Sequence, residues 1–181
     1  MSIKGFVRVL GSGFLLGCAL LGSGCGPTPA EKALEAGTLF EVKGQYKEAM
    51  AEYKRVNELD PKNTDGYYNQ ALLSQKQGDM KTALENFDKI IKINPNYSEP
   101  YYGRGQIYEA KGQSDKALAE YTQAIENNSQ YAEAYYHRGL LYNYKREYRK
   151  ALEDAEKAKI LGFSVSADLL KELQSGASKQ R

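Results

Sequence analysis

Few side chains in this chain have the types and spacing that chemistry in a site requires. His137 is the one histidine, and both cysteines, Cys18 and Cys25, lie within the first 25 residues. No second histidine and no later cysteine is present to complete a catalytic dyad or a zinc site around His137. No glycine-rich phosphate loop follows a strand pattern. We therefore expect a structural role for His137, no enzymatic activity, no small-molecule substrate, and no metal or other cofactor.

The charge balance gives no basic surface for a nucleic acid. The whole chain carries a formal net charge of +2. Lys4 and Arg8 belong to an apolar leader that contains no acid, so the chain from Cys25 onward holds equal numbers of basic and acidic residues. Domains that bind nucleic acids usually show an excess of clustered Lys and Arg. We therefore expect no nucleic acid among the partners.

The elements that would position any site recur along the chain with a period of 34 residues. Three glycines, four alanines and two prolines carry the period: Gly44, Gly78 and Gly112; Ala49, Ala83, Ala117 and Ala151; Pro61 and Pro95. A fixed period of this length indicates one supersecondary unit stacked on its own copies, each burying the face that its neighbour leaves open.

Within each unit, two helical patterns flank a turn. In the second unit Tyr67 and Ala71 precede Gly78, and Ala83 and Phe87 follow it at helical spacing. Small residues recur where two helix backbones must approach closely, and they are Gly37, Ala71, Gly105 and Gly139. The pattern predicts four helix pairs, and a bulky side chain at the small position should overpack the stack.

These residues resemble the tetratricopeptide repeat, a helix-turn-helix motif of 34 residues. In the third unit the likeness is carried by Tyr101, Arg104, Gly105, Tyr108, Ala117 and Tyr121, and in the fourth by Tyr135, Arg138, Gly139, Tyr142 and Ala151. Arginine replaces the usual leucine in both units. The resemblance implies an all-α fold, a right-handed α-solenoid of four repeats at 30–63, 64–97, 98–131 and 132–165.

Both departures from the pattern at the C-terminal end concern how the stack is closed. Arg146 stands in the fourth unit where the other units have the turn glycine. Further on, Ser166 is a suitable N-cap for a helix with three leucines on one face. We predict a capping helix at 166–173 that covers the exposed end of the stack, and a disordered polar tail at 174–181.

The first 24 residues resemble a bacterial lipoprotein signal peptide. Lys4 and Arg8 precede an apolar stretch of about 13 residues, shorter than the roughly 20 that span a bilayer as a helix. Small residues then precede Cys25, which the resemblance makes the lipidated, palmitate-bearing N-terminus of the mature chain, with Cys18 as the alternative. The resemblance implies a protein of the bacterial cell envelope, anchored at the outer membrane or at the periplasmic face of the inner membrane.

Residues 25–29 would form a very short tether to that membrane. Thr28, Pro29 and Glu31 have the pattern of an N-cap, a first-position proline and a capping-box glutamate. The chain between Cys25 and this helix start reaches roughly 10 Å at about 3.3–3.6 Å per residue. We therefore expect the first repeat to lie close to the bilayer.

Members of the resembled family use their first helices to line a concave groove, through the second, fifth, ninth, twelfth and thirteenth residues of each unit. Carried over, the second row is Glu31, Asp65, Glu99 and Glu133, and the fifth is Leu34, Tyr68, Tyr102 and Tyr136. The other rows are Thr38, Leu72, Gln106 and Leu140; Glu41, Gln75, Glu109 and Asn143; and Val42, Lys76, Ala110 and Tyr144. Six acids and one base, Lys76, stand in these rows.

Acidic and tyrosine rows favour an extended or helical peptide that carries Lys or Arg. Charge complementarity and cation–aromatic contacts of about 0.5–2 kcal/mol each would supply the recognition. Acids in the first turn of a helix also stabilise it through its dipole by about 0.3–1 kcal/mol, which leaves a purely structural role for the second row open.

The sequence thus predicts a non-enzymatic scaffold for protein–protein interaction. The favoured hypothesis is a membrane-tethered adaptor that binds a peptide or protein partner in envelope assembly, such as pilus, secretion or cell-wall machinery. A structural array that self-associates through its ends or its convex face is the alternative, and an enzyme comes last.

Overall fold

The computed structural model describes residues 26–180, and the regular structure in this range is helical. Its helices are α1 (Pro29–Val42), α2 (Tyr46–Leu59), α3 (Thr64–Lys76), α4 (Met80–Ile93), α5 (Ser98–Ala110), α6 (Ser114–Asn127), α7 (Ala132–Tyr144), α8 (Tyr148–Ile160) and α9 (Ala167–Lys179). Helices α1 to α8 form four pairs, each second helix packs on the first helix of the next pair, and α9 packs on α8. This arrangement confirms the predicted all-α solenoid of helix pairs. Within the same range, no helix combines the length and the apolar character that crossing a membrane requires.

Helix α1 begins as the sequence predicts. The Thr28 backbone N–H donates to Glu31 Oε2 at 2.7 Å, and the Glu31 N–H donates to Thr28 Oγ1 at 3.2 Å. These reciprocal bonds form a capping box, and Pro29 occupies the first helical position. Because the box satisfies two amide donors at the start of α1, the first repeat is ordered from its first residues.

The four alanines that share the 34-residue spacing lie at the centre of the stack. They are Ala49, Ala83, Ala117 and Ala151, all with an exposed fraction of 0%. Tyr53, Phe87 and Tyr121 lie beside them in the core and are at most 1% exposed. A Cβ added at Gly37 would lie 2.6 Å from the Tyr53 ring, and one at Gly105 would lie 2.5 Å from the Tyr121 ring. The predicted close approach of paired helices is therefore confirmed, since these glycines make room for an aromatic ring of the second helix.

The turn inside each helix pair requires a residue with left-handed backbone. Gly44, Gly78 and Gly112 have φ angles of 75°, 81° and 68°, which glycine adopts at no steric cost. Arg146 holds the same place between α7 and α8 with a φ angle of 60°. A residue with a side chain is disfavoured in this region by about 1–2 kcal/mol. The stack therefore imposes the turn even where glycine is absent.

Replacing Arg146 by glycine should stabilise the fold. The substitution relieves the left-handed strain, while the more flexible unfolded chain offsets part of the gain, so we expect the free energy of unfolding to rise by about 1 kcal/mol. Urea denaturation followed by circular dichroism measures the change. Gly78→Ala is the matched control, because it places a Cβ in the equivalent turn and should lower the free energy by a similar amount. A less stable Arg146→Gly protein would mean that the arginine side chain stabilises the turn.

An arginine joins the third repeat to the second, and the sequence pattern did not predict this contact. Arg104 on α5 donates to Asp88 Oδ1 of α4 at 2.8 Å and also pairs with Glu120 of α6. Burial raises the pKa of Glu120 above its ordinary value, although the charge of Arg104 opposes the shift. Arg104 Nε and Glu120 Oε2 are buried without a hydrogen-bond partner. The pair is therefore only partly satisfied.

The equivalent arginine of the fourth repeat makes a more complete set of bonds. Arg138 Nε and Nη2 each donate to a carboxylate oxygen of Asp154 at 2.8 Å, and Nη1 donates to Thr122 Oγ1 at 3.2 Å. Asp154 is 5% exposed. Two parallel bonds of this kind fix both position and orientation, so Arg138 holds α7 against its partner α8 and against α6 of the preceding repeat.

The C-terminal helix is longer than the sequence predicted. Ser166 caps α9 as expected, because its Oγ accepts from the Leu169 N–H at 3.2 Å. The helix then continues to Lys179 instead of ending at 173. The predicted disorder of the tail is therefore wrong for 174–179.

Close contacts between α9 and the start of α8 explain the extra length. A Cβ added at Gly176 would lie 2.5 Å from the Tyr148 ring, so the small residue allows the two elements to touch. The Gln180 side chain donates to the Arg146 carbonyl, and the Gln180 carbonyl accepts from Arg149 Nη2 at 3.0 Å. These bonds hold the end of the helix on the fourth repeat.

The two ends of the described stack differ. Leu173 of α9 is 1% exposed and closes the C-terminal end. At the other end Leu39 of α1 is 54% exposed, although the residues at the same repeat position in the next units, Leu73 and Ile107, are at most 1% exposed. Within residues 26–180, no helix packs in front of α1 to cover this side chain.

Candidate functional site

The five predicted rows of the first helices lie on α1, α3, α5 and α7, and none of their residues is buried. We call this surface the groove face. Its most exposed apolar residues are Tyr144 at 80%, Val42 at 73% and Leu72 at 41%. The structure therefore leaves the whole set accessible, and their role in binding a partner stays a prediction.

The tyrosines of the fifth row pack against aromatic residues that the sequence analysis did not assign to the site. The Tyr68 and Tyr97 ring centroids lie 6.1 Å apart, and those of Tyr102 and Tyr131 lie 4.9 Å apart. Tyr97 and Tyr131 each immediately precede the next first helix, at the repeat spacing, and that position was the available signal. Offset aromatic pairs of this kind hold both rings in place, so the tyrosine row is preorganised.

The last tyrosine of the row has a comparable neighbour. The centroids of Tyr136 and Phe163 lie 4.5 Å apart. Phe163 lies in the segment between α8 and α9, and it is one residue past the left-handed Gly162. Its sequence position does not follow the repeat spacing of Tyr97 and Tyr131, and no sequence signal pointed to it.

The one base of the groove face is already paired. Lys76 Nζ lies 3.7 Å from Glu41 Oε1 and 4.6 Å from the centre of the Tyr46 ring. Glu41 also accepts a hydrogen bond from the buried Tyr53 hydroxyl at 2.9 Å. The positive charge of Lys76 is therefore largely offset within the first two repeats.

Glu109 repeats this arrangement two units later and explains His137. The Tyr121 hydroxyl donates to Glu109 Oε2, and His137 Nδ1 lies 3.2 Å from the same oxygen. The His137 ring also lies 5.7 Å, centre to centre, from the rings of Tyr102, Tyr121 and Tyr136. Burial alone would raise the pKa of Glu109, but the hydrogen bonds from His137 and Tyr121 outweigh it and hold the pKa below its ordinary value. His137 therefore has packing and hydrogen-bonding roles within the third and fourth repeats.

Acid should remove part of the stability that Glu109 supplies. A carboxyl with a lower pKa in the folded than in the unfolded chain stabilises the fold above its unfolded pKa, and the benefit is lost as the pH falls through the folded pKa. The ordinary value for Glu109 is 4.5, so the loss should fall below that pH. We expect the stability difference between pH 5.5 and pH 3.5, measured by urea denaturation, to be smaller in Glu109→Gln than in the natural chain. The exposed Glu58→Gln variant is the control, and an equal difference in all three proteins would refute the role of Glu109.

The carboxylates of the second row have different degrees of engagement. Glu31 belongs to the capping box of α1, and Glu99 Oε2 accepts from the Ser98 hydroxyl at 2.8 Å. Asp65 and Glu133 are exposed at the first turns of α3 and α7. The groove face therefore keeps an acidic edge beside the tyrosine row, where a positively charged ligand would meet both.

No arrangement suited to metal binding or to lipid attachment can be assigned within the described part of the chain. Among residues 26–180, no group of three or more His, Cys, Asp or Glu side chains is arranged to hold a metal ion. The predicted signal peptide at 1–24 and the two candidate lipidation residues, Cys25 and Cys18, lie outside the described residues.

Three family models match the chain, and all three describe the same repeat. Two models of the tetratricopeptide repeat match residues 86–119 and 64–97. A model described as TPR repeat matches residues 42–78 and 110–143. The matches overlap and reach from the end of α1 to α7. No curated protein matches the chain.

Solved structures give the same assignment. The crystal structure of MamA is 26% identical, with a TM-score of 0.70 and 82% of each chain covered. YrrB, described as a TPR protein with an unusual peptide-binding site, is 26% identical, with a TM-score of 0.62 over 81% of this chain and 75% of its own. The TPR protein TTC0263 of Thermus thermophilus is 24% identical, with a TM-score of 0.61 and 82% of each chain covered, which is a likeness of fold alone. The chain belongs to the tetratricopeptide repeat family.

Proposed function

We propose that the groove face binds a segment of a partner protein that carries lysine or arginine. As a tetratricopeptide repeat protein, the chain is a scaffold for protein–protein interaction. The observation that carries the choice of partner is the charge of the groove face, where six acids stand against Lys76, whose charge Glu41 offsets at 3.7 Å. Complementary charge favours a basic partner over an acidic one through both affinity and association rate.

A peptide segment is the ligand class that the shape of the site supports. The tyrosine row runs along successive first helices and offers repeated aromatic faces, which suit an extended or helical chain more than a compact small molecule. The similar YrrB is described as having a peptide-binding site, which supports the same class of ligand here.

Membrane attachment through Cys25 is the second part of the proposal. The capping box places the start of α1 at Pro29, so a lipid on Cys25 would be joined to the first repeat by a chain that reaches roughly 10 Å. A multiply acylated cysteine anchors firmly, whereas a single chain binds a membrane only marginally. The scaffold would then recruit partners close to the membrane in envelope assembly.

The mass of the mature N-terminus tests this anchor directly. Protein purified from membranes should yield an N-terminal peptide that begins at Cys25 and carries acyl chains. A peptide that begins at Cys18 would support the alternative site. An unmodified N-terminus would refute the anchor and leave the groove proposal standing.

Binding by the groove face is tested with three fluorescent peptides of equal length and net charge +4, 0 and −4. The full chain in detergent should bind the +4 peptide at least tenfold more tightly than the −4 peptide, measured by anisotropy. The Glu99→Lys, Glu133→Lys double variant should reverse or abolish this preference. Glu58→Lys, Glu156→Lys is the matched control, because both residues are exposed on second helices and the change in net charge is the same.

Two outcomes would overturn the proposal. One is equal affinity for the three peptides in the natural chain, and the other is unchanged or improved +4 binding by the Glu99→Lys, Glu133→Lys variant. Self-association of the chain without peptide binding, seen by analytical ultracentrifugation, would instead support a structural array.

A further inference from the structure

Three tyrosines and two glutamates of the second, third and fourth repeats converge at one place on the groove face. They are Tyr68, Tyr102, Tyr131, Glu99 and Glu133, and we call them the tyrosine box. Its central contact is the Tyr102–Tyr131 pair, with ring centroids 4.9 Å apart. Gln106 Nε2 donates to the Tyr102 hydroxyl at 3.1 Å and fixes that ring further.

The electrostatics of the phenols show that all five side chains share one environment. Burial raises the pKa of Tyr131, and the Tyr68 and Tyr102 phenols and the charges of Glu99 and Glu133 raise it further. Burial also raises the pKa of Tyr102, with added contributions from Glu133, Glu109 and Tyr68. Aromatic faces beside two carboxylates form a place where positive charge is favoured from two directions.

The basic side chains of the same three helices are engaged elsewhere. Helix α3 carries Lys76, α5 carries Arg104, and α7 carries His137 and Arg138. Their nearest acidic partners are Glu41 for Lys76, Asp88 and Glu120 for Arg104, Glu109 for His137 and Asp154 for Arg138. None of these acids belongs to the tyrosine box, so a cation for it would have to come from the partner.

The full set of five groups occurs at one register of the described stack. One repeat earlier, Leu34 stands where the box has Tyr68. One repeat later, the partner of Tyr136 is Phe163, whose ring has no hydroxyl. A ligand that uses the box is therefore placed at a defined position along the groove face.

We propose that the tyrosine box is a subsite for one arginine side chain of the partner segment. The inference rests on the proposed function, because it presumes that a basic segment lies on the groove face. The planar guanidinium stacks on aromatic rings and presents several donors in a fixed fork, so it can contact the tyrosines and carboxylates together. Lysine offers a point charge and lacks the stacking plane.

The test uses a peptide with four arginines at unequal spacings and four derivatives, each with one arginine replaced by citrulline, which keeps the shape and removes the charge. In the full chain in detergent, one replacement should weaken binding at least fivefold and the other three about twofold or less. In Glu99→Gln, Glu133→Gln the four replacements should become equivalent. Glu31→Gln, Asp65→Asn is the matched control from the same row, and it should keep the dominant position.

A dominant position that persists in Glu99→Gln, Glu133→Gln would overturn the subsite, and so would its loss in Glu31→Gln, Asp65→Asn. A lysine at the dominant position that binds as tightly as arginine would overturn the choice of arginine. These failures are distinct from failure of the proposed function, which would appear as no preference of the natural chain for the +4 peptide. Circular dichroism of each variant confirms that the helices are intact.

Discussion

Truncating Arg138 to alanine should lower the free energy of unfolding by about 3–5 kcal/mol. The reason is the state of Asp154, which is 5% exposed and receives two arginine hydrogen bonds of 2.8 Å. Without Arg138 its charge stays buried and unpaired, and Thr122 loses its bond as well. Urea denaturation followed by circular dichroism gives the change.

Two further variants separate the cost of a broken pair from the value of the intact one. Arg138→Met, Asp154→Leu removes both charges and fills the space with apolar groups, so it should recover most of the loss. Lys81→Ala removes one partner of an exposed pair, whose atoms lie 4.0 Å apart, and should cost less than about 1 kcal/mol. A double variant as unstable as Arg138→Ala would show that the ion pair itself stabilises the fold.

Phe87→Ala should be similarly destabilising, by about 3–5 kcal/mol, through the cavity that it leaves. Phe87 has an exposed fraction of 0%, and a Cβ added at Gly103 of the next repeat would lie 2.4 Å from its ring. Its ring centre also lies 6.1 Å from that of Tyr68 on the groove face. Because repeats contact mainly their neighbours, hydrogen exchange should accelerate in α3 to α5 more than in α8 and α9.

The controls for Phe87→Ala vary volume and burial in turn. Phe87→Leu keeps most of the volume and should cost about half as much or less. Ile160→Ala removes an apolar side chain that is 78% exposed, and should change the free energy by less than about 0.5 kcal/mol. A loss below about 1.5 kcal/mol in Phe87→Ala would contradict the cavity argument, because it would mean that the backbone at Gly103 closes the space.

The repeat period predicted the architecture well because few residue types satisfy the geometry of its key positions. Gly44, Gly78 and Gly112 all have positive φ, and the alanines at the same spacing are fully buried. Helices α3, α5 and α7 begin at residues 64, 98 and 132, the first residues of the predicted units. Local backbone demands of this kind are visible in a single sequence.

Contacts between helices were harder to predict. Arg104 and Arg138 were noticed only as replacements for leucine, because their acidic partners lie sixteen residues away on facing helices. The composition around Gly176 suggested disorder, yet the small residue lets α9 pack on Tyr148. Both misses concern side-chain contacts that depend on which faces the stack brings together.

The groove face was predicted in outline and refined by the structure. Its residues are all accessible, but the sequence could not show that Glu41 and Glu109 each accept a hydrogen bond from a buried tyrosine of the same repeat, Tyr53 and Tyr121. Those two carboxylates therefore contribute to packing as well as to the charge of the surface. The acidic groups that remain for a ligand concentrate at the second row.

The contrast between Leu39 and Leu173 gives the molecule a direction for engineering. A consensus helix pair fused ahead of Pro29 would meet a leucine that is 54% exposed, whereas α9 already covers the other end and Leu173 is 1% exposed. Because each added pair is stabilised by its interface with the next, lengthening should succeed on the α1 side and fail beyond Lys179 unless α9 is removed. The solenoid can thus be extended as a modular ruler from one side only.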